Sequence, residues 1–206
     1  FAVNVAAQDD TIVEIAVGNE DFSTLVQAVI AADLVDTLSE PGPFTVFAPT
    51  NDAFAAALGE LGLTAEQLLA DTDLLTSVLT YHVVAGEVFS TDLTDGMRVT
   101  TVNGATFVVN LSASGASLTD SQGRTVNITA VDIDASNGVI HVLDNVILPP
   151  SQNVVEIAID NPDFSTLVTA VSTAGLVETL SGDGPFTVFA PTNAAFAAAL
   201  AELGLT

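Results

Sequence analysis

Apolar residues follow a helical spacing through the first part of the chain. The segment "TIVEIAVG", which begins at Thr11, indicates a short helix. The next segment, "DFSTLVQAVIAADLVDTLS", carries its apolar residues on one stripe, and we expect a single amphipathic helix started by Asp21. Further on, the alanine-rich "DAFAAAL" predicts another helix, capped by Thr50 or Asn51. The N-terminal part of the chain is therefore expected to be mainly helical.

Two more helices are expected before the pattern changes. Thr64 and Gln67 have the spacing of a capping box for "AEQLLAD", and Thr72 is placed to cap "DLLTSVLTYH". After Tyr81 the apolar residues fall into short alternating runs, which are typical of β-strands. Hairpin turns are predicted at Asn103-Gly104, at Ser121 to Gly123 and at Asn137-Gly138. Helices followed by antiparallel strands favour an α+β fold over alternating βαβ units.

The chain also repeats a long segment of itself. With a shift of 142 positions, residues 11–64 align with residues 153–206 without a gap, and about 40 of the 54 positions are identical. A period of this length without a shorter sub-period indicates tandem domains and not a solenoid. We therefore expect a complete domain at residues 1–150 and the N-terminal portion of a second domain at residues 151–206.

One motif stands out within this repeat: "GPFTVFAPTNDAF" returns as "GPFTVFAPTNAAF". Its run "FTVFA" is bounded by Gly-Pro and Pro-Thr, which predicts a strand. The first copy assigns structural roles to Phe44, Thr45, Val46, Phe47, Ala48, Pro49 and Thr50. The aromatic and aliphatic side chains are expected to fill a core, the second proline to end the strand, and the threonine to begin a helix. The repetition then reports a second domain, not a second active site.

Charge narrows the range of partners. The chain has 26 acidic residues against two basic ones, Arg98 and Arg124, and no lysine. Such a surface cannot neutralise phosphates and would be repelled by anionic lipids, so we expect neither a nucleic-acid partner nor membrane insertion. No apolar run approaches the length of a spanning helix. The large negative charge suits a saline medium, where ions screen the repulsion between acidic residues. The alternative is that proteins of the source organism are acidic in general and that the charge has no consequence for function.

Three stretches together resemble the fasciclin-like (FAS1) domain family. They are "FTVFAPTNDAF", "LTYHVVAGEV" and "NGVIHVLDNVILPP", and their order and spacing also fit. The resemblance implies a compact wedge of two β-sheets, with helices packed around its N-terminal half. It also implies a secreted or surface-anchored protein that mediates cell adhesion and matrix attachment without catalysis or a cofactor. The expected partner is a protein or glycan at the cell surface or in the matrix.

The resemblance also implies candidate adhesion residues. In the family, the Tyr-His region and an Asp-Ile pair just ahead of the last motif are linked to integrin-dependent adhesion. Here they correspond to Tyr81, His82, Asp132 and Ile133. An exposed carboxylate can complete the coordination of a metal ion held in a receptor, and isoleucine adds apolar area beside it. The alternative is that "TAVDID" is an alternating strand end with Ile133 turned inward.

The two histidines, His82 and His141, suggest a competing function. A hydrolase could use either imidazole as a base with a nearby Ser and Asp. The chain contains no Gly-x-Ser-x-Gly elbow and no His-Glu-x-x-His pattern, so the sequence does not support this function. We expect both rings to be buried and bonded to backbone, His82 at a helix-to-strand junction and His141 in the final strand.

Metal sites are not expected either. Two histidines are too few for a usual zinc site, and the acidic doublets in "DTD" and "DID" do not continue into a calcium-binding loop. The chain has no cysteine. An adhesion module, a hydrolase and a purely structural spacer are thus the functions considered.

The second repeat lacks counterparts of the segment between Tyr81 and Pro150, which should supply most of the sheet. Alone it would expose apolar helix faces and an unpaired strand edge. One expected outcome is self-association by exchange of equivalent halves between chains. A longer multi-domain surface protein is the simpler explanation.

Overall fold

The computed structural model describes residues 10–113, 115–182 and 186–204. The chain divides between Pro149 and Pro150 into two compact units, here called unit 1 and unit 2. Residues 1–9 of the first predicted domain, residues 205–206 of the second, and Gly184 and Pro185 of the repeated motif lie outside the described residues.

Unit 1 begins with helices and continues with strands, as the sequence predicts. Its α-helices are α1 Ile12–Val17, α2 Ser23–Ala31, α3 Val35–Ser39, α4 Asn51–Leu61, α5 Ala65–Ala70 and α6 Thr72–Tyr81. Its strands are β1 Phe44–Pro49, β2 Val83–Ala85, β3 Arg98–Thr100, β4 Thr106–Ser112, β5 Gly115–Thr119, β6 Thr125–Ala135 and β7 Gly138–Leu143. Within the described ranges, no helix has the length and apolar character needed to cross a membrane.

Local side chains begin several helices where the sequence predicts. The Thr50 hydroxyl accepts a hydrogen bond from the Ala53 amide at 3.3 Å at the start of α4. Thr64 and Gln67 form the predicted capping box of α5. The cap of α6 differs, because the Asp71 carboxylate, and not the Thr72 hydroxyl, accepts from the Leu74 amide at 3.0 Å. Asp71 has the non-helical backbone that a cap needs, whereas Thr72 is already inside the helix.

The single helix expected from Asp21 is wrong in two respects. It begins as a 3₁₀ turn, and the Asn19 side chain, not Asp21, accepts the first free amide. It is then interrupted between α2 and α3, where Asp33 adopts a left-handed backbone with φ of 57°. The apolar stripe hides this break because Leu25 of α2 and Leu38 of α3 both pack into the same core.

The seven strands lie in the order β2-β1-β7-β6-β5-β4-β3. Strands β3 to β7 pair in sequence as antiparallel neighbours. The predicted hairpin turns account for the pairs β3–β4, β5–β6 and β6–β7, whereas the pairing of β4 with β5 was not predicted. The long strand β6 pairs with β5 near its start and with β7 from Ile128 onward. The β6–β7 ladder is irregular between Ile128 and Ala130 and again between Ala130 and Ile133. Strand β1 lies between β2 and β7 and runs parallel to β7, which the sequence did not predict.

Strand β1 is buried on both faces. Val46 contacts the helix-side core, while Phe47 packs into a second core with Phe107 and Tyr81. Phe44 is half-buried against the helix-side core, and the strand ends at Pro49. Burial on both faces explains why "FTVFA" reads as an almost continuous apolar run. The predicted α+β class is confirmed.

Unit 2 repeats the first helices of unit 1. Its α-helices are α7 Val154–Asp160, α8 Ser165–Thr173, α9 Val177–Ser181 and α10 Asn193–Leu203. The asparagine of the repeated motif makes the same bond in both copies: Asn51 accepts from the Thr24 amide at 2.9 Å, and Asn193 accepts from the Thr166 amide at 2.8 Å. The motif therefore joins two helices in both units.

Candidate functional site

His82 lies at the junction between α6 and β2 and is 2% exposed. The Ile147 amide donates to Nε2 at 3.1 Å, so Nε2 carries no proton. Nδ1 is therefore protonated, and it donates to the Val78 carbonyl at 2.8 Å. Both ring nitrogens are used by the backbone, and the neutral ring connects α6 to the last segment of unit 1. This confirms the expected buried, backbone-bonded histidine.

We expect the free energy of unfolding to decrease as the pH is lowered, because of His82. Burial lowers its pKa from 6.5 to about 4, against the opposing effect of the bond to Val78. The unfolded state then binds a proton that the folded state refuses, so stability is full above pH 6.5 and is lost as the pH falls towards 4. The loss at the lower end is about 3 kcal/mol. Urea unfolding between pH 7 and pH 4 measures it.

The control for this prediction is the His82→Gln variant. Its free energy of unfolding is expected to be lower at pH 7 but to fall less between pH 6.5 and pH 4. All other ionisable groups are the same in both proteins, so the difference between their two dependences of unfolding free energy on pH isolates the imidazole. Parallel slopes would contradict the assignment.

Tyr81 is fully buried beside His82. Its hydroxyl donates to the Thr106 carbonyl at 2.9 Å and accepts from the Ser121 amide at 3.1 Å. Its ring meets Phe107 edge-on, with the centroids 6.2 Å apart. Burial raises the pKa of Tyr81. The side chain joins α6 to the start of β4 and to the turn after β5, and it has no surface with which to touch a partner.

Asp132 lies in the irregular part of β6 with a left-handed backbone, φ 58°. Its half-exposed carboxylate accepts from the Ser90 amide at 2.7 Å and from the Ser90 hydroxyl through a short bond. The next residue, Ile133, is half-buried and packs against the helix-side core. Of the candidate adhesion residues, Asp132 and Ile133 are thus partly accessible, whereas Tyr81 and His82 are not.

The structure brings a serine, an aspartate and a histidine together, but not as a catalytic triad. The Asp132 amide donates to Nδ1 of His141 at 3.3 Å, and Nε2 of His141 donates to the Val88 carbonyl at 2.9 Å. Ser90 donates its hydroxyl proton to the Asp132 carboxylate and not to the imidazole. A hydrolase requires an imidazole nitrogen free to accept that proton. In this arrangement His141 fixes β7 and has no such nitrogen.

Metal ions in proteins require a group of side-chain ligands such as His, Asp and Glu. Across residues 10–113, 115–182 and 186–204, no three His, Asp or Glu side chains are grouped so that they could hold an ion. Asp71 of the first acidic doublet caps α6, and Asp132 of the second holds Ser90.

A buried ion pair was not foreseen from the sequence. The Asp120 carboxylate, with no exposed side-chain surface, meets the Arg124 guanidinium at 2.9 Å and also accepts from the Leu148 amide at 3.0 Å. Arg124 also bonds Glu60 of α4 at 2.8 Å and the Val146 carbonyl at 2.6 Å. The pair holds the last segment of unit 1 against α4. The scarcity of cations in so acidic a chain is the signal that could have pointed to Arg124.

An apolar cavity of about 100 Å³ lies among α1, α2 and α3 of unit 1. Leu79, His82 and Val83 form part of its wall, and no serine lines it. The equivalent cavity among α7, α8 and α9 measures about 240 Å³. The residues described in unit 2 include no counterparts of those three wall residues, so this cavity is wider. A hydrolase would require a histidine beside a serine in a pocket. The cavity of unit 1 has His82 in its wall but no serine.

Known proteins are similar to this chain in sequence. The fasciclin domain model matches residues 20–149 and 162–204. Protein sll1483 of Synechocystis is 48% identical over 72% of this chain and 79% of its own length. Human periostin is 33% identical over 86% of this chain but only 20% of its own length. Immunogenic protein MPB70 of Mycobacterium bovis is 33% identical over 69% of this chain and 70% of its own.

A solved structure supports the architecture. It is the FAS1 domain pair of the insect cell adhesion molecule fasciclin I, with a TM-score of 0.50 over 90% of this chain and 64% of that chain. Because the sequence identity is only 18%, this structure supports the fold and nothing further. With two matched regions that cover most of the residues, and with relatives at 33 to 48% identity, the chain belongs to the fasciclin domain family.

Proposed function

We propose that the chain is a non-catalytic adhesion or matrix-binding module of a secreted or cell-surface protein with tandem fasciclin-like domains. Its partner is a protein or glycan at the cell surface or in the matrix. Membership of the fasciclin family supports this function, as does the cell adhesion named for the fasciclin I structure. The engagement of both histidines by backbone argues against the hydrolase alternative. A net charge of −24 suits a saline medium, where ions screen self-repulsion.

The observation that carries the proposal is the conformation of Asp132. A left-handed backbone costs a non-glycine residue free energy, and such residues concentrate at functional sites. Irregularities in a strand also occur beside binding sites, where they redirect a side chain. Asp132 combines both features with a half-exposed carboxylate. We propose that this carboxylate completes the coordination of a metal ion held by a receptor, with Ile133 beside it.

Tyr81 and His82 then contribute indirectly. Both side chains are buried and bonded within unit 1. In the proposed module they are positioning residues, because they fix the ends of α6 and β2 relative to the neighbouring strands. Their substitution is expected to reduce adhesion only as far as it reduces stability.

The test compares two substitutions at one hydrogen bond. Asp132→Asn removes the charge that a receptor-held metal needs, and cell attachment to the immobilised chain is expected to fall about tenfold or more. Ser90→Ala removes only the hydroxyl that occupies one carboxylate oxygen, so attachment is expected to be retained or to increase. Attachment is measured with Mn²⁺ present and again with a chelator, which should abolish it.

Asp134→Asn is the matched control, since Asp134 is an exposed carboxylate on the same strand. It is expected to leave attachment unchanged. If Asp132→Asn and Ser90→Ala lower attachment equally, and only in step with thermal stability, then Asp132 has a structural role and the site is wrong. A wild-type chain that attaches no cells would favour a spacer, and attachment that no substitution changes would contradict the assignment to Asp132.

We further propose that unit 2 is the N-terminal portion of a second fasciclin-like domain and that it allows the chain to self-associate. Its helices repeat those of unit 1, and its cavity is wider. Large apolar side chains are exposed in unit 2, including Ile157, Ile159 and Phe189. Exposed apolar patches of this kind mark surfaces of association.

A further inference from the structure

The loop that follows β2, residues 86–92, is held by buried polar side chains of the sheet. The Thr45 hydroxyl of β1 accepts from the Val88 amide at 2.9 Å and donates to the Gly86 carbonyl at 2.8 Å. His141 of β7 donates from Nε2 to the Val88 carbonyl at 2.9 Å. Thr45 and His141 have no exposed surface. Two fully buried polar side chains therefore fix the first half of this loop.

The second half of the loop is also bonded. The Phe89 amide donates to the Asp92 carboxylate at 3.0 Å, and the Phe89 carbonyl accepts from the Asp92 amide at 3.0 Å. The Ser90 amide donates to the Asp132 carboxylate at 2.7 Å. The loop thus has a defined conformation without forming a strand. A surface that is already held in one conformation loses less conformational entropy when it binds a partner.

This loop carries a large apolar side chain that neither core uses. In the described part of unit 1, Phe89 is the one aromatic side chain that packs into neither core, and it is half-buried. It directly precedes Ser90, whose amide bonds Asp132. Ile133, by contrast, already packs against the helix-side core. Aromatic side chains are enriched among the residues that dominate binding energy, so Phe89 is better placed than Ile133 to provide it.

The ring and the carboxylate require different features of a partner. A carboxylate binds a cation, whereas an aromatic ring gains most from an apolar pocket. A protein can hold a divalent cation beside such a pocket, but a glycan has no side chains with which to enclose a ring. Glu87 and Asp92 are exposed on the same loop and repel an anionic glycan. These features favour a protein receptor.

We propose that Phe89 is the apolar anchor of the adhesion site and enters a receptor pocket beside the divalent cation that Asp132 coordinates. The partner is then a protein that holds a cation at its surface. Thr45 and His141 are positioning residues, because they fix the backbone of the loop that carries the ring. This inference rests on the adhesion function proposed above and adds the residue that supplies its apolar contact.

Cell attachment to the immobilised chain in the presence of Mn²⁺ tests the anchor. The Phe89→Ala variant is expected to need about tenfold or more coating density for half-maximal attachment. Phe89→Tyr keeps the ring, and its requirement should stay within about threefold of the wild type. Leu111→Ala is the matched control, since Leu111 is an exposed apolar side chain of β4 outside the loop. It is expected to change the coating density by less than about twofold.

The positioning role of Thr45 has its own test. Thr45→Val removes the hydroxyl that holds the loop but keeps the shape of the side chain. It is expected to lower attachment about fivefold in the wild-type chain, and by less than about twofold when Phe89 is already alanine, because no ring remains to be positioned. A role in stability alone would lower attachment by the same factor in both backgrounds and would contradict positioning.

The possible outcomes separate this inference from the adhesion function. If Phe89→Ala attaches cells as the wild type does while Asp132→Asn does not, the anchor is overturned and the adhesion function stands. A loss of attachment by Phe89→Ala that only follows a loss of thermal stability also overturns the anchor. A wild-type chain that attaches no cells overturns both.

Treatment of the cells identifies the class of partner. Brief protease treatment of the cell surface is expected to abolish attachment, and glycosidase treatment is expected to leave it unchanged. The reverse result would identify a glycan and overturn the protein receptor.

Discussion

Replacement of Gly138 by alanine is expected to unfold most of unit 1. A Cβ atom at this position would lie 1.9 Å from the Phe44 carbonyl oxygen and 2.7 Å from the Phe44 nitrogen, with φ at 150°. These are backbone atoms of β1, so no side chain can move aside. Separating β1 from β7 would disturb both cores, since β1 contributes to each. We expect a loss of about 4 kcal/mol or more, a large part of the stability of an ordinary domain.

Gly123→Ala is the matched control for this substitution. Gly123 also has a positive φ, 79°, but a Cβ atom there meets nothing within 4 Å. It is expected to cost only the backbone strain, about 1–2 kcal/mol. Urea unfolding followed by circular dichroism gives both values. Equal losses for the two alanines would show that strain, and not the close approach of β1, decides the outcome at Gly138.

Replacement of Arg124 by methionine is expected to cost about 3–5 kcal/mol, the usual effect of leaving a buried charge without its partner. The charge left behind is the Asp120 carboxylate, whose side chain has no exposed surface. The bonds from Arg124 to Glu60 and Val146 would be lost as well. The free energy of unfolding of purified variants checks this prediction.

The chain contains its own control, because Arg98 is the other arginine and is exposed on β3. Arg98→Met is expected to change stability by no more than about 0.5 kcal/mol. In the double variant Arg124→Met with Asp120→Asn, part of the loss should be recovered, since no buried charge remains. If the two single arginine variants lost the same stability, the ion pair would have no structural role.

Much of the local structure is predictable because it depends on near neighbours. Thr50 and Thr64 cap helices through residues three positions away, and the turn at Asn137-Gly138 requires a flexible residue at a fixed place. The class of fold follows from helices that precede strands. The motif around Phe47 is predictable as a strand because a short apolar run bounded by two prolines is typical of a buried strand and too short for a helix.

The rest depends on partners far apart in sequence. Nothing in the spacing of apolar residues shows that β1 lies parallel to β7, or that the Leu148 amide needs the Asp120 carboxylate. The left-handed backbone of Asp132 is equally invisible, since aspartate also occurs in ordinary strands. For the candidate site, the sequence indicates Asp132 and Ile133. It does not show that Ser90 donates hydrogen bonds to the Asp132 carboxylate.

The position of β1 between β2 and β7 affects how the chain is made. Strand β1 leaves the ribosome before its parallel partner β7, which begins at Gly138, about 90 residues later. At ordinary synthesis rates of roughly 5–20 residues per second, β1 waits some seconds with that edge unpaired. We therefore expect a nascent unit 1 to need protection by a chaperone until β7 emerges.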